Sequence, residues 1–320
     1  MANFQLNRFR QEKPYAFICG IVFFILLFIS LISPSLFSEH LKVTSPHSLS
    51  PPGFYNSELS VYHLLGTDVN GHDLAYRLLS GLQISILIGL LGAAIALFIG
   101  TFYGMISGYI GGYTDIIMMR LVDALYAVPR ILIIMILIAA LDKPCKNSLD
   151  NLRLYAQEAQ WLTLELWLKS LIPYSKLLVM ILTLGMIEWL TMARIVRAQV
   201  LLLKQQTFIY AAKSMGQKTS KILRLHLIPN LTSLVLTYTT LTIPTVILDE
   251  SILSFLGLGV EDPAASLGSL FRDGALAINP IHFTWWLLIF PALTLISLLL
   301  MLNTIGDALR DWFDPKQRNH

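Results

Sequence analysis

Six long apolar stretches constrain this chain more than anything else in it. An α-helix rises about 1.5 Å per residue, so roughly 30 Å of hydrocarbon takes about 20 apolar residues. Pro14 to Ser38 and Leu78 to Thr114 carry no charged residue. Ile116 to Leu141 carries only Arg120, Asp123 and Arg130, and Tyr174 to Ala193 only Lys176 and Glu188. Leu225 to Leu248 and Gly274 to Gly306 have none if His226 and His282 are neutral. Charged residues make up 13% of the chain, against about 25% in a soluble domain. A water-soluble enzyme and a disordered chain are therefore excluded. The net charge of +3 gives no nucleic-acid footprint. Cys19 and Cys145 do not make a disulfide framework and are expected to stay unpaired.

The expected fold is an all-α integral membrane bundle of six transmembrane helices. A first span at 15–37 follows a short arm, 1–14. Its basic start (Arg8, Arg10, Lys13) could suggest a signal peptide, but the apolar core is too long and no A-x-A site follows, so it reads as an uncleaved anchor. An extracytoplasmic segment, 38–80, leads to a core, 81–306, with spans near 81–106, 116–141, 174–193, 230–249 and 283–305. An extracytoplasmic insertion, 142–173, and a loop, 194–229, lie within that core, and 307–320 forms a tail. Trp161 to Ile172 is too short to span and reads as an amphipathic helix on the membrane surface.

Orientation follows from Lys and Arg. Residues 194–229 contain Arg194, Arg197, Lys204, Lys213, Lys218, Lys221 and Arg224 and no Asp or Glu. A segment that basic belongs on the cytoplasmic side, which places both termini there too.

Small residues recur every four positions in the second span: Gly92, Ala96, Gly100, Gly104 and Gly108. They form a ridge without bulk, suited to close helix packing within one subunit. Ionisable residues inside spans need partners. Arg120 and Asp123 share a face and are placed to pair. Glu188 falls in the cytoplasmic half of its span, and Asp249 and Glu250 close theirs. These five are candidates for a polar pathway, with internal pairing or capping as the alternative. Pro129, Pro244 and Pro291 are expected to kink their helices.

The loop from Gln206 to Asn230 carries the most information. Two short helical patterns flank Gly216. Thr207 is placed to cap the first, and Gly216 suits the left-handed residue that ends it. Ala211 and Ala212 remove bulk, Lys218, Lys221 and Arg224 recur on the second pattern, and Pro229 opens the next span. The result is a basic elbow with a smooth patch, suited to docking a partner protein. Gly216-Gln217-Lys218-Thr219 is no phosphate loop, because it lacks the glycines and the preceding strand. If ATP drives this protein, another chain binds it. His40, His47, His63, His72, His226, His282 and His320 show no metal-ligand spacing.

This loop resembles the E-A-A-x-x-x-G-x(9)-I-x-L-P motif of ABC-importer permeases. In register stand Tyr210, Ala211, Ala212, Gly216, His226, Ile228 and Pro229, with Tyr210, His226 and Ile228 departing from the pattern. Other stretches resemble the second permease subunit of the dipeptide/oligopeptide branch. They are Leu65 to Asp68 with Gly71 and Asp73; Gly108 to Gly112; Met119 to Asp123 with Pro129; Leu253 to Gly259; and Gly306-Asp307 through Pro315. The likeness covers about residues 60 to 316, and 142–173 is longer than the family's usual connection.

The resemblance implies a type I importer bundle whose loop couples to an ATPase through Tyr210, Ala211, Ala212, Lys213, Gly216, Lys218, Lys221, Arg224, His226 and Pro229. It implies a sister permease, two cytoplasmic ATP-binding subunits carrying ATP and Mg, an extracytoplasmic binding protein, and a bacterial cytoplasmic membrane. Di- or oligopeptides are the implied cargo, with nickel or antimicrobial peptides as alternatives within the family. From other classes, an ion-gradient transporter would need an internal repeat, and a membrane anchor would need no pathway.

Overall fold

The computed structural model describes residues 13–36, 48–56, 61–261, 264–278 and 284–313. Arg8 and Arg10, the segment 37–47 and the Asp314-Pro315 pair lie outside the described residues. Five described helices are long and apolar enough to cross a membrane, and six when one bent pair is counted as a single span.

Helix α1, Pro14–Leu36, leads to a small antiparallel hairpin, β1 (Phe54–Asn56) and β2 (Val61–His63), which the all-helical expectation omitted. The turn after it is built on carboxylates. Asp68 accepts from the N–H groups of Asn70 (2.9 Å) and His72 (2.8 Å) and from Arg77 Nη1 (2.6 Å). Asp73 caps the next helix by accepting from the Tyr76 N–H, and also meets His63 Nδ1 at 2.9 Å.

That helix, α2 (Leu74–Ile110), runs for 37 residues. Its small-residue ridge lies on α6, Ser175–Leu203. A Cβ on Gly100 would stand 2.7 Å from the Trp189 carbonyl oxygen, one on Gly108 3.0 Å from that of Arg197, and one on Gly104 would collide with that of Ala193. Ala96 is buried in the same seam beside Leu190 and Ala193. Gly92 sits over Gly185 and Val246. The contacts advance in the same direction along both chains, so α2 and α6 are parallel and nearly backbone to backbone.

Between them run α3 (Gly112–Tyr126) and α4 (Arg130–Glu158), bent by 88°. The expected span 116–141 is thus broken in two. Pro129 has no N–H to continue the helix, and its ring drives Val128 away from helical geometry. Pro144, Pro244 and Pro291 lie inside continuous helices.

Two other boundaries differ from the sequence reading. Helix α6 passes through Arg194 and Arg197 to Leu203, so ten residues assigned to the loop are helical. Their charges are met from α3: Arg194 Nη2 lies 2.8 Å from Asp123, and Arg197 holds Asp115 through Nε (2.5 Å) and Nη2 (2.6 Å). The segment 142–173 is also helical. It completes α4 and forms α5 (Leu162–Leu171), which packs along α4 and enters α6 through a 3-10 turn, Ile172–Tyr174. At that end of α6, Lys176 Nζ meets Glu261 at 2.5 Å, and the ammonium holds the Glu261 carboxyl below the usual carboxylate range.

The chain then forms α7 (Thr207–Ser214), α8 (Thr219–Ile222), a π-turn (Leu223–Leu227), α9 (Ile228–Leu253), a second π-turn (Ser254–Leu258), α10 (Leu267–Ala277) and α11 (Trp285–Phe313). Gly306 of α11 faces Thr240 of α9, while Leu298 packs in one cluster with Ile247, so α11 runs antiparallel to α9. Lys13 Nζ, just before α1, pairs with Asp311 near the end of α11 at 2.7 Å. Both described chain ends therefore sit on the side of the bundle that carries α7. Cys19 and Cys145 are free.

Candidate functional site

Two arrangements stand out: an exposed elbow at one end of the bundle and a charge cluster within it. The elbow begins at α7. Ile209 and Ala212 are fully buried against Met105, Tyr109, Val196, Val200, Ile222 and Leu227, and so seat α7 on the ends of α2, α6 and α9. Its other face is open: Tyr210, Ala211, Lys213 and Met215 are exposed. Met215, the most exposed of the large apolar side chains here at 71%, carried no signal in the sequence pattern. Gln206, not Thr207, is the N-cap residue, and it makes no side-chain capping bond; Thr207 is the first helical residue.

Gly216 ends α7 with φ +70°. Its N–H donates to the Lys213 carbonyl at 2.9 Å, and the Gln217 N–H reaches back to that of Ala212 at 3.1 Å. These bonds satisfy carbonyls that the helix end leaves open. Gln217 Oε1 then meets His226 Nε2 at 3.1 Å, and the His226 ring lies 6.3 Å from that of Phe208. His226 thus braces the two arms of the elbow across the glycine. Lys218, Lys221 and Arg224 are exposed. Lys213 Nζ instead lies over the Tyr109 ring at 5.2 Å, with Lys204 on the same ring at 5.8 Å.

Pro229 stands in the first turn of α9 without interrupting the helix. The chain is helical from Thr219 to Leu256, and Gly257 at φ +91° ends the run. Just ahead of the proline the ladder widens, with the Ile228 N–H bonding the Leu223 carbonyl five residues back. This shifts the bonding register where Pro229 supplies no donor.

The second arrangement joins three spans. Arg130, the first residue of α4, donates through Nη1 to Glu188 Oε1 (2.6 Å) and through Nη2 to Asp249 Oδ1 (2.8 Å). The carboxylates are 7% and 2% exposed, and the Arg130 side chain 44%. Sequence reasoning singled out Glu188 and Asp249 but passed over Arg130. Glu188 is the fourteenth of the 29 residues of α6, which runs past the apolar span through Arg194 and Arg197. Arg120 is exposed on α3 and does not meet Asp123, whose partner is Arg194.

Glu250 is fully buried in a ring of hydroxyls. Ser254 Oγ donates to Oε1 at 2.6 Å and Ser85 Oγ to Oε2 at 3.2 Å. Ser85 in turn accepts the Leu267 N–H at 3.1 Å. The amino-terminal dipole of α10 thus reaches the carboxyl through a hydroxyl relay, which locks α2, α9 and α10 together. Glu250→Ala removes the acceptor of the Ser254 and Ser85 hydroxyls and is expected to destabilise the protein by about 3 kcal/mol. Glu250→Gln keeps one of the two acceptor oxygens and should lose less. Thermal unfolding of both variants in detergent, with Gln no better than Ala, would refute the relay.

Among the described residues, no group of three or more His, Cys, Asp or Glu side chains could hold a metal ion. The arrangement is one of surfaces and tethers.

Over 313 residues the chain is 36% identical to the oligopeptide transport system permease protein OppC of Bacillus subtilis (strain 168), covering 97% of this chain and 88% of that protein. It is 40% identical over 256 residues to OppC of Escherichia coli (strain K12), covering 80% and 73%. It is 34% identical over 312 residues to the dipeptide transport system permease protein DppC of Bacillus subtilis (strain 168), covering 97% and 84%. A solved structure of the MetNI methionine ABC transporter in inward-facing conformations superposes with a TM-score of 0.52 at 16% identity, covering 75% of this chain and 98% of that chain. That likeness concerns the fold alone. Residues 100–319 match the model of the binding-protein-dependent transport system inner membrane component. The chain therefore belongs to the family of binding-protein-dependent transport system inner membrane components, and its bundle is that of an ABC-importer permease.

Proposed function

We propose that this chain is the membrane-spanning subunit of an ATP-driven importer that moves di- or oligopeptides across the bacterial cytoplasmic membrane. The observation that carries this reading is the exposed elbow, seated on the span ends, in a chain that resembles oligopeptide and dipeptide permeases over nearly its whole length. The elbow docks a separate ATP-binding subunit through the smooth face of Tyr210, Ala211, Met215 and Gly216. Lys218, Lys221 and Arg224 add charge around that face. Lys213, drawn over Tyr109, helps seat α7 more than it reaches outward.

A sister permease, two ATPases carrying ATP and Mg, and an extracytoplasmic binding protein complete the assembly. The chain itself needs no cofactor and performs no catalysis. ATP-driven closure of the partners displaces the elbows and shifts the bundle between two states. The elbow side is cytoplasmic, because its Lys and Arg excess resists translocation. The Lys13–Asp311 pair keeps both described chain ends on that same side. The glycine ridge serves packing inside the subunit, consistent with its seam against α6.

Reconstitution tests this. Proteoliposomes holding the whole complex should import a labelled oligopeptide when loaded with ATP and Mg, and not without ATP. Import driven by a proton or sodium gradient in ATP-free vesicles would replace the reading with an ion-coupled transporter.

A further inference from the structure

Arg130 occupies an expensive place. On α6, Lys176 and Arg194 bound a stretch whose one charged residue is Glu188. They are about 27 Å apart at 1.5 Å per residue, close to the thickness of the hydrocarbon. Glu188 lies about 18 Å from the first and about 9 Å from the second. Arg130, bonded to Glu188 at 2.6 Å, is therefore well inside the hydrocarbon.

Its side chain is nevertheless 44% open, while both carboxylates behind it are buried. A guanidinium facing lipid at this depth is costly. Long side chains escape that cost by reaching toward an interface. Arg130 has no such route, because Nη1 is tied to Glu188 on α6 and Nη2 to Asp249 on α9. Its open side must face water or polar protein.

A cavity of about 280 Å³ opens beside it, between α3 and α6 at the 88° break. Arg130, Val128, Ile187, Tyr126 and Thr191 are among its lining residues. The Tyr126 and Thr191 hydroxyls, 2.5 Å apart, make one wall polar. The guanidinium has five N–H donors, of which one on each Nη is engaged by a carboxylate.

We propose that Arg130 lines the translocation path and is a direct substrate contact, donating its remaining N–H groups to main-chain carbonyl oxygens of the peptide in transit. This deepens the peptide-import reading and rests on it. Carbonyls fit better than the peptide's terminal carboxylate, because one cation set against two carboxylates offers no net positive charge. Carbonyls also occur in every peptide, so the contact is blind to sequence. Glu188 and Asp249 are positioning residues that fix the plane of the guanidinium.

The test uses the complete reconstituted transporter with Cys19→Ser and Cys145→Ser in this chain. Val128→Cys should react with a membrane-impermeant maleimide, and excess transported peptide should protect it. Arg130→Gln should reduce uptake about tenfold, the scale of a lost hydrogen bond to a charged group. The loss should be equal for a peptide and for its C-terminally amidated form. Because Arg130→Gln strands two buried carboxylates, the triple variant Arg130→Gln, Glu188→Gln, Asp249→Asn is measured beside it. That variant has no stranded charge and should still transport poorly. Normal uptake by the triple variant, an unreactive or unprotected Val128→Cys, or a loss confined to the free-carboxylate peptide would each overturn the proposal. No ATP-dependent uptake by the parent complex would instead overturn the peptide-import reading.

Discussion

Gly216→Asp is expected to reduce ATP-driven peptide uptake at least about tenfold while leaving the complex assembled in the membrane. The backbone argument gives the second half of that expectation. Gly216 has φ +70°, a conformation that Asp adopts more readily than most side chains, at a cost of roughly 1 kcal/mol. No atom lies within 4 Å of where its Cβ would be, so the new Cβ meets nothing in this chain. It would instead project from the open face of the elbow, beside Met215 and Lys218, and bring a negative charge into a segment that has none. Any effect on transport must then come from the fit of a partner. Uptake in proteoliposomes, read beside co-purification of the subunits, checks both halves. Uptake at the normal rate would remove the docking role.

Gly104→Leu should have the opposite profile, with the protein failing to accumulate. A Cβ alone at this position collides with the Ala193 carbonyl oxygen and comes within 3.0 Å of the Arg197 nitrogen. Both are backbone atoms of a helix that cannot yield locally. In lipid, the pairing of α2 with α6 rests on van der Waals contact, which separation forfeits. Even Gly104→Ala should lose about 1–3 kcal/mol by overpacking. Gly20→Ala is the control, since nothing lies within 4 Å of its Cβ site, and its thermal midpoint should be unchanged. Membrane abundance and unfolding in detergent measure all three. A Gly104→Leu protein as abundant as the parent would mean that α2 and α6 do not pack as described.

The spans were legible because hydrocarbon imposes a length that few other constraints mimic. Their ends were less so. Arg194 and Arg197 looked like the start of a loop, yet α6 keeps them because Asp123 and Asp115 on α3 neutralise them. Those partners lie 71 and 82 residues away, and no local pattern reports them. The ridge on α2 announced close packing without naming α6 as its seat. At the elbow, Gly216 was legible from the rule that glycine ends helices, whereas Met215 became visible only once α7 had buried its other face. Arg130 was the largest omission. It was counted as one charge among three in a span, and its acidic partners lie 58 and 119 residues along the chain. The neighbouring Pro129 was the available signal, since a chain broken beside an arginine inside the membrane has a polar neighbour to satisfy.

The helical run from Thr219 to Leu256, continuous through Pro229, has a mechanical corollary. Thirty-eight residues at 1.5 Å each make a rod about 57 Å long, and turning it by about 10° about one end sweeps the other through about 10 Å. With no flexible joint at Pro229 to absorb torque, a small tilt imposed at the elbow becomes a large displacement at the other end of the rod, where Glu250 and Ser85 join it to the tip of α10.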